Sequence, residues 1–135
     1  MLFLLLALAM DFLSHISFSV SDFQKSLKFY DAVLGELGHE RMYAFESGAG
    51  WGKSIGREFF EIKQRVDNVS IPSEGFHLAF HANKKEEVHN FYAQALRHGG
   101  RDNGAPGPRP DYGVDYYAAF FIDPDGYELE VKLFI

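Results

Sequence analysis

The sequence predicts an α+β domain made of two tandem modules, and three observations predict it. The first is a repeat: HISFSVSDFQKSLKFYDAVLGELG at 15–38 recurs in pattern as HLAFHANKKEEVHNFYAQALRHGG at 77–100, so that a shift of 62 carries His15 to His77. The same shift carries Phe18 to Phe80, Phe29-Tyr30 to Phe91-Tyr92, Leu34 to Leu96 and Gly38 to Gly100. The second is that each copy passes from period-two alternation to helical spacing, which reads as a strand followed by a helix. The third is a pair of matching ends, Glu61-Ile62-Lys63 and Glu130-Val131-Lys132.

Taken in order, Ile16, Phe18 and Val20 share one strand face and His15, Ser17 and Ser19 the other. Ser21-Asp22 offers a helix cap, and Phe23, Leu27, Tyr30 and Leu34 recur at helical spacing before Gly38 stops the helix. The stretches ESGAGWGKSIGR at 46–57 and NGAPGPRP at 103–110 read as loops at a cavity mouth, the second stiffened by proline. In the second copy Leu78 and Phe80 alternate with His77, Ala79 and His81. Asn83 with Glu86 suits a cap, Val88, Phe91, Ala95 and Leu96 form the helical stripe, and Gly99-Gly100 end it. Each half closes on a strand, FFEIK at 59–63 and YELEVK at 127–132, the latter after the tight turn Asp123-Pro124-Asp125-Gly126. The boundaries are an apolar N-terminal extension at 1–12 and one domain at 13–135, with module one about 13–68 and module two about 74–135.

With 135 residues, 47% apolar, 24% charged and 16% aromatic, one globular domain with a ring-lined core is expected. A net charge of −6 argues against nucleic acid, whose phosphates reward a basic patch. There is no cysteine, which excludes disulfides, thiolate nucleophiles and Cys-based zinc sites. Any metal must therefore be held by His and carboxylate. MLFLLLALAM is too short to span a bilayer, which takes about 20 apolar residues. Ala7-Leu8-Ala9 resembles a cleavage site, but no Lys or Arg precedes the run. The segment is expected to be an extra apolar element or to lie upstream of a start at Met10, in a cytoplasmic protein without a membrane partner.

Strand alternation puts Phe60, Ile62, Leu129 and Val131 inward and Glu61 and Glu130 on the opposite face, with His15 and His77. A pseudo-twofold between the modules would gather His15, Glu61, His77 and Glu130 around one axis. Two imidazoles and two carboxylates suit a borderline divalent metal, and ligand type alone leaves zinc, nickel, cobalt, manganese and iron open. His81 shares the face of His77 but stands roughly 13 Å along the strand, which fits substrate contact rather than a shared ion. Lys53, Arg57 and Arg109 on the expected loops could meet an anionic group.

HISFSVSDFQKSLKFYDAVLG, HLAF and DPDGYELEV resemble the vicinal oxygen chelate superfamily, which includes glyoxalase I, fosfomycin-resistance proteins, methylmalonyl-CoA epimerase and extradiol dioxygenases. The resemblance runs from His15 to about Leu133. It implies paired βαβββ modules forming a U-shaped mixed sheet around one divalent ion, and a homodimer. In glyoxalase I-like members the ligands fall on the positions of His15, Glu61, His77 and Glu130. Fosfomycin-resistance proteins typically lack the second of these, so Glu61 tilts the resemblance toward the four-ligand isomerases. Ser19 stands where bacterial glyoxalase I carries an Arg that grips glutathione, so glutathione is not implied. GAPGPRP and YYAAF resemble a group of small glyoxalase-like proteins, and the expected substrate contacts are Ser19, His81, Arg109 and Tyr117.

The expected function is a metal-dependent glyoxalase-like lyase or isomerase acting on a small substrate with vicinal oxygens through an enediolate. Glu130, beside the like charge of Glu128, is expected to be the base, and Glu61 mainly a ligand. The alternatives are dioxygenase or thiol-transfer chemistry, or a metal-free protein that sequesters a small planar molecule.

Overall fold

The computed structural model describes residues 12–65 and 68–135. The expected extension at 1–12 therefore lies outside the described residues except for Phe12. Ten elements follow in chain order: β1 (Ile16–Ser19), α1 (Phe23–Gly35), β2 (Glu40–Phe45), β3 (Gly48–Gly52), β4 (Glu58–Lys63), β5 (Leu78–His81), α2 (Lys85–Arg97), β6 (Arg101–Pro108), β7 (Tyr116–Ile122) and β8 (Glu128–Phe134). The repeat is visible in the backbone: β1 and β5 start 62 residues apart, as do α1 and α2.

The strands form two four-stranded mixed sheets, ordered β1-β4-β3-β2 and β5-β8-β7-β6. In each, the first strand pairs in parallel with the last of its module, Ser17 opposite Glu61 and Ala79 opposite Glu130, while the remaining pairs are antiparallel. A parallel pair needs a crossover, and each helix belongs to one. α1 packs on β2, β3 and β4, α2 on β6, β7 and β8, and the helices pack on each other. One face of each sheet is thus covered by helix, and the other is not.

The caps are close to those expected. Asp22 caps α1 and accepts from the Lys25 amide at 3.1 Å. At α2 the cap position is Lys84, without a side-chain bond, and it is Glu87 rather than Glu86 that reaches back, accepting from the Asn83 amide at 3.1 Å. Leu96, placed on the apolar stripe by its spacing, is 40% exposed, whereas Val88, Phe91 and Ala95 are fully buried.

Both glycine-rich stretches differ from the loops their composition suggests. Gly48-Ala49-Gly50-Trp51-Gly52 is β3, an inner strand buried throughout. Ala49 and Trp51 point into the core, and the Tyr43 and Phe45 rings lie over Gly50 and Gly48 on the opposite face. Residues 101–108 are β6, an edge strand whose register shifts at Asp102/Gly104 and Gly104/Gly107. Proline cannot donate to a ladder but is tolerated at an edge, which is where Pro106 and Pro108 sit.

One core runs through both modules. Phe60 meets Phe80 at 5.9 Å between centroids, Phe80 meets Phe91 at 5.6 Å, and Phe91 meets Phe121 at 5.1 Å. The turn at 123–126 locks the halves together. Asp123 Oδ1 accepts from the amides of Asp125, Gly126 and Tyr127 at 2.9 Å each, and Oδ2 accepts from the Tyr30 hydroxyl of α1 at 2.6 Å. Ser21 donates to Asp125, and the Tyr127 hydroxyl donates to the Ser19 carbonyl at 2.8 Å. DPDG is here a structural latch between modules.

Candidate functional site

Each uncovered sheet face carries one His and one Glu. In module one, β1 turns Phe18 into the core, so His15, Ser17 and Ser19 face out, and pairing with β4 sets Glu61 beside Ser17. In module two, β5 buries Phe80, so His77, Ala79 and His81 face out beside Glu130. The four candidate ligands stand as two pairs on two sheets. Among the described residues of one chain, no three His, Asp or Glu side chains come together as a metal-binding group.

The second pair is the more developed. The Glu130 side chain is only 4% exposed, and His77 Nε2 lies 3.4 Å from its Oε1. Tyr116 donates its hydroxyl to Oε2. Burial, then the Glu130 bond and charge, push the Tyr116 hydroxyl far above its ordinary range, so it stays protonated and a donor. Among the described residues, no lysine or arginine pairs with Glu130, although Lys132 lies two residues along on the same face. Its ammonium sits over the Tyr116 and Phe134 rings instead, 4.4 and 3.5 Å from their centroids. A buried carboxylate without a cation is costly, and such sites cluster where a protein does chemistry.

In module one, Glu61 is 15% exposed and Lys63 Nζ lies 3.5 Å from its Oε2. Tyr43 leans over Gly50 toward the same carboxylate; burial first, then Glu61, raise its hydroxyl above the ordinary value. His15 is exposed, its Nδ1 2.9 Å from Ser14 Oγ.

The expected substrate contacts are distributed unevenly. His81 is exposed on the face of Glu130, and Ser19 is half-buried on that of Glu61. Arg109 donates to the carbonyls of Ala105 at 2.7 Å and Pro108 at 3.3 Å, and its guanidinium stands 5.3 Å from the Phe120 ring, which is paired with Glu130. Tyr117 lies on the helix side, 7% exposed, with its hydroxyl 2.7 Å from His89 Nε2 of α2. Its neighbour Tyr116 takes the place next to Glu130. The run Tyr116-Tyr117-Ala118-Ala119-Phe120-Phe121 has the same apolar character in both strand phases, so alternation cannot choose between them. Register does, because Ala119 and Phe121 pair with the inward Val131 and Leu129.

A surface cleft of about 370 Å³ lies elsewhere, lined by Glu36, Asn90, Ala93, Gln94 and Arg97 of the helices. It contains none of the candidate ligands. Among the described residues, no helix is long and apolar enough to cross a membrane.

The chain is 33% identical over 128 residues to the uncharacterized protein YqjT of Bacillus subtilis, covering 87% of this chain and 94% of that one. It is 28% identical over 123 residues to the metallothiol transferase FosB of Shouchella clausii, covering 88% of this chain and 77% of that one. Among solved structures, a glyoxalase/bleomycin resistance protein from Albidiferax ferrireducens superposes with a TM-score of 0.77 at 29% identity, over 90% of this chain and 98% of that one. The family model of the Glyoxalase/Bleomycin resistance protein/Dioxygenase superfamily matches residues 12–131, and the chain belongs to that superfamily.

Proposed function

We propose that this protein is a divalent-metal-dependent enzyme that moves a proton on a small substrate bearing neighbouring oxygens, in the manner of a glyoxalase-like lyase or isomerase. The observation that carries this reading is the buried Glu130 carboxylate, placed between His77 and Tyr116 without a lysine or arginine partner among the described residues. That donor pair fits a divalent ion: an imidazole nitrogen and a carboxylate oxygen 3.4 Å apart can approach one centre. His15 and Glu61 are the remaining donors. A metal held by these residues would supply Lewis-acid polarisation of a substrate oxygen. Oε2 of Glu130 is satisfied by Tyr116, so Oε1, which faces His77, would hold the ion in the resting site and take the proton only on letting go of it.

The donors face outward on separate sheets, so a second copy of the chain completes the site. A twofold pairing sets the His15 face of one copy against the His77 face of the other. Phe45, Tyr112 and Phe134, exposed by 60%, 65% and 59%, are the rings such a pairing covers. A second reading, thiol transfer to a small electrophile, is favoured by the Lys63–Glu61 contact, which withdraws one donor and leaves two His and one Glu. The likeness to a metallothiol transferase points the same way.

Elemental analysis of purified protein is expected to give about one divalent ion per chain. Hemithioacetal isomerisation and thiol addition, assayed with each metal, then separate the two readings. Mixing inactive His15→Ala and His77→Ala chains should restore about a quarter of wild-type activity, since a mixed dimer keeps one intact site. Protein that takes up no divalent ion sinks the metal reading, and mixtures that stay inactive sink the shared site.

A further inference from the structure

The geometry points to Tyr116 as a positioning residue that holds Lys132 away from Glu130 and so keeps the carboxylate open to a divalent cation. Residues two apart on a strand share a face, so a Glu-x-Lys triplet naturally swings its ammonium over its carboxylate. Module one does this, with Lys63 Nζ 3.5 Å from Glu61 Oε2. Module two has the same triplet, Glu130-Val131-Lys132, on a strand with the same parallel neighbour. The outcome differs because of the third strand. Opposite Glu61 and Lys63, β3 presents Gly50 and Gly48, covered by the Tyr43 and Phe45 rings of β2, which stack on each other with centroids 5.7 Å apart and leave the Lys63 ammonium on the carboxylate. Opposite Glu130 and Lys132, β7 presents Phe120 and Ala118, and Tyr116 follows on the same face, paired with Phe134.

Ala118 leaves room for the Tyr116 side chain to run along the sheet toward Glu130. Its hydroxyl reaches the carboxylate while its ring lies under the Lys132 ammonium, 4.4 Å from the centroid. Phe134 closes the clamp, its ring 5.6 Å from that of Tyr116 at 86° and its centroid 3.5 Å from Lys132 Nζ. One residue thereby occupies the cation and orients the anion. The effect on metal affinity rests on the proposed function above, whereas the position of Lys132 does not.

Three variants test it, each checked for folding by thermal melting. Tyr116→Phe keeps the ring and loses the hydroxyl, and calorimetric titration of the full chain with zinc or manganese should show affinity about 10-fold weaker. Tyr116→Leu removes the ring as well; its crystal structure should show Lys132 on Glu130 as Lys63 is on Glu61, with metal affinity down about 100-fold. Adding Lys132→Met to Tyr116→Leu should recover about 10-fold, a rescue that loss of packing alone would not give. Phe134→Ala opens the same clamp and serves if Tyr116→Leu fails to fold, with the position of Lys132 in its crystal structure as the readout, because the proposed pairing also covers this ring. Lys132 remaining over Phe134 in Tyr116→Leu, or no recovery on adding Lys132→Met, overturns the assignment. Wild-type protein that binds neither metal overturns the metal reading instead, and the Lys132–Glu130 distance then decides the role of Tyr116 by itself.

Discussion

The two modules share an element order and a terminal Glu-x-Lys strand, yet they leave their glutamates in opposite conditions. Glu61 has a lysine at 3.5 Å, and Glu130 has an imidazole at 3.4 Å and a tyrosine hydroxyl. The backbone repeat is set by what both copies need, a buried strand face and a helix to cover it. The different surroundings of the two glutamates go with the neighbouring strand, glycine in β3 and aromatic in β7. A duplicated scaffold can thus give equivalent side chains different partners without moving its backbone, by changing what lies beside them.

The largest expected effect tests that difference directly. Glu130→Gln should lower turnover by about a thousand-fold, the range of a lost proton acceptor, while Glu61→Gln should cost about ten-fold at equal metal occupancy. If Glu61→Gln proves the deader variant, the roles assigned to the two modules must be exchanged.

The same contrast appears in the connections before the last strands. Residues 53–57, between β3 and β4, are all exposed. Their counterpart between β7 and β8 is the latch at 123–126, with Asp123 only 2% exposed. Tyr30→Phe removes the buried hydroxyl that donates to Asp123 Oδ2 and should destabilise the fold by about 1–3 kcal/mol in urea unfolding. Tyr92→Phe, which removes a 2.7 Å bond to the exposed Asp102, should cost clearly less, since water replaces the lost partner. Equal costs would mean that burial does not distinguish the two tyrosine–aspartate pairs.

Asp123 also gives the latch a pH dependence. Burial raises its carboxyl above the ordinary 3.8, outweighing the Tyr30 and amide bonds that lower it, and the charge of Asp125 adds to the rise. The folded state therefore keeps the proton at pH values where the unfolded chain has lost it. The stabilising contribution is full below pH 3.8 and is lost as pH rises through the higher folded value. Subtracting the urea-unfolding profile of Asp123→Asn from that of wild type should give a difference that falls across this window and is flat above it. A difference that rises with pH would show the carboxyl to be lowered instead.

The sequence made the fold legible wherever burial was one-sided. Period-two alternation located β1, β4, β5 and β8, and the shift of 62 paired the modules, because one-sided burial writes itself into residue choice. It was least legible where side chains carry no such signal. Glycine marks turns by default, yet in β3 it makes room for two rings lying flat on the sheet. Proline in β6 reads as a loop unless the strand is known to be an edge. The histidines and glutamates could be placed on faces by alternation. Their distribution over two outward sheets could not, because it depends on how the helices pack together. Tyr116 was hidden by a doublet pattern that only pairing with β8 resolves.

The glycines of β3 give the finest test of the module-one surface. A Cβ at Gly52 would stand 2.4 Å from the Arg57 carbonyl oxygen and 3.0 Å from Glu58 Cα, both backbone atoms that cannot yield without moving the strand. Gly52→Ala should therefore cost about 1–3 kcal/mol, as overpacking does. A Cβ at Gly50 would stand 2.4 Å from Tyr43 Cε1, at the far end of a side chain. The ring can swing away, so Gly50→Ala should cost less than about 1 kcal/mol, partly offset by the better strand propensity of alanine. The displaced Tyr43 would leave Glu61 with Lys63 alone. If Gly50→Ala is instead as damaging as Gly52→Ala in urea unfolding, the Tyr43–Phe45 stack, 5.7 Å between centroids, is a fixed part of the sheet surface. Module one would then hold its glutamate under a rigid cover, and the difference between the halves would lie in lysine placement alone.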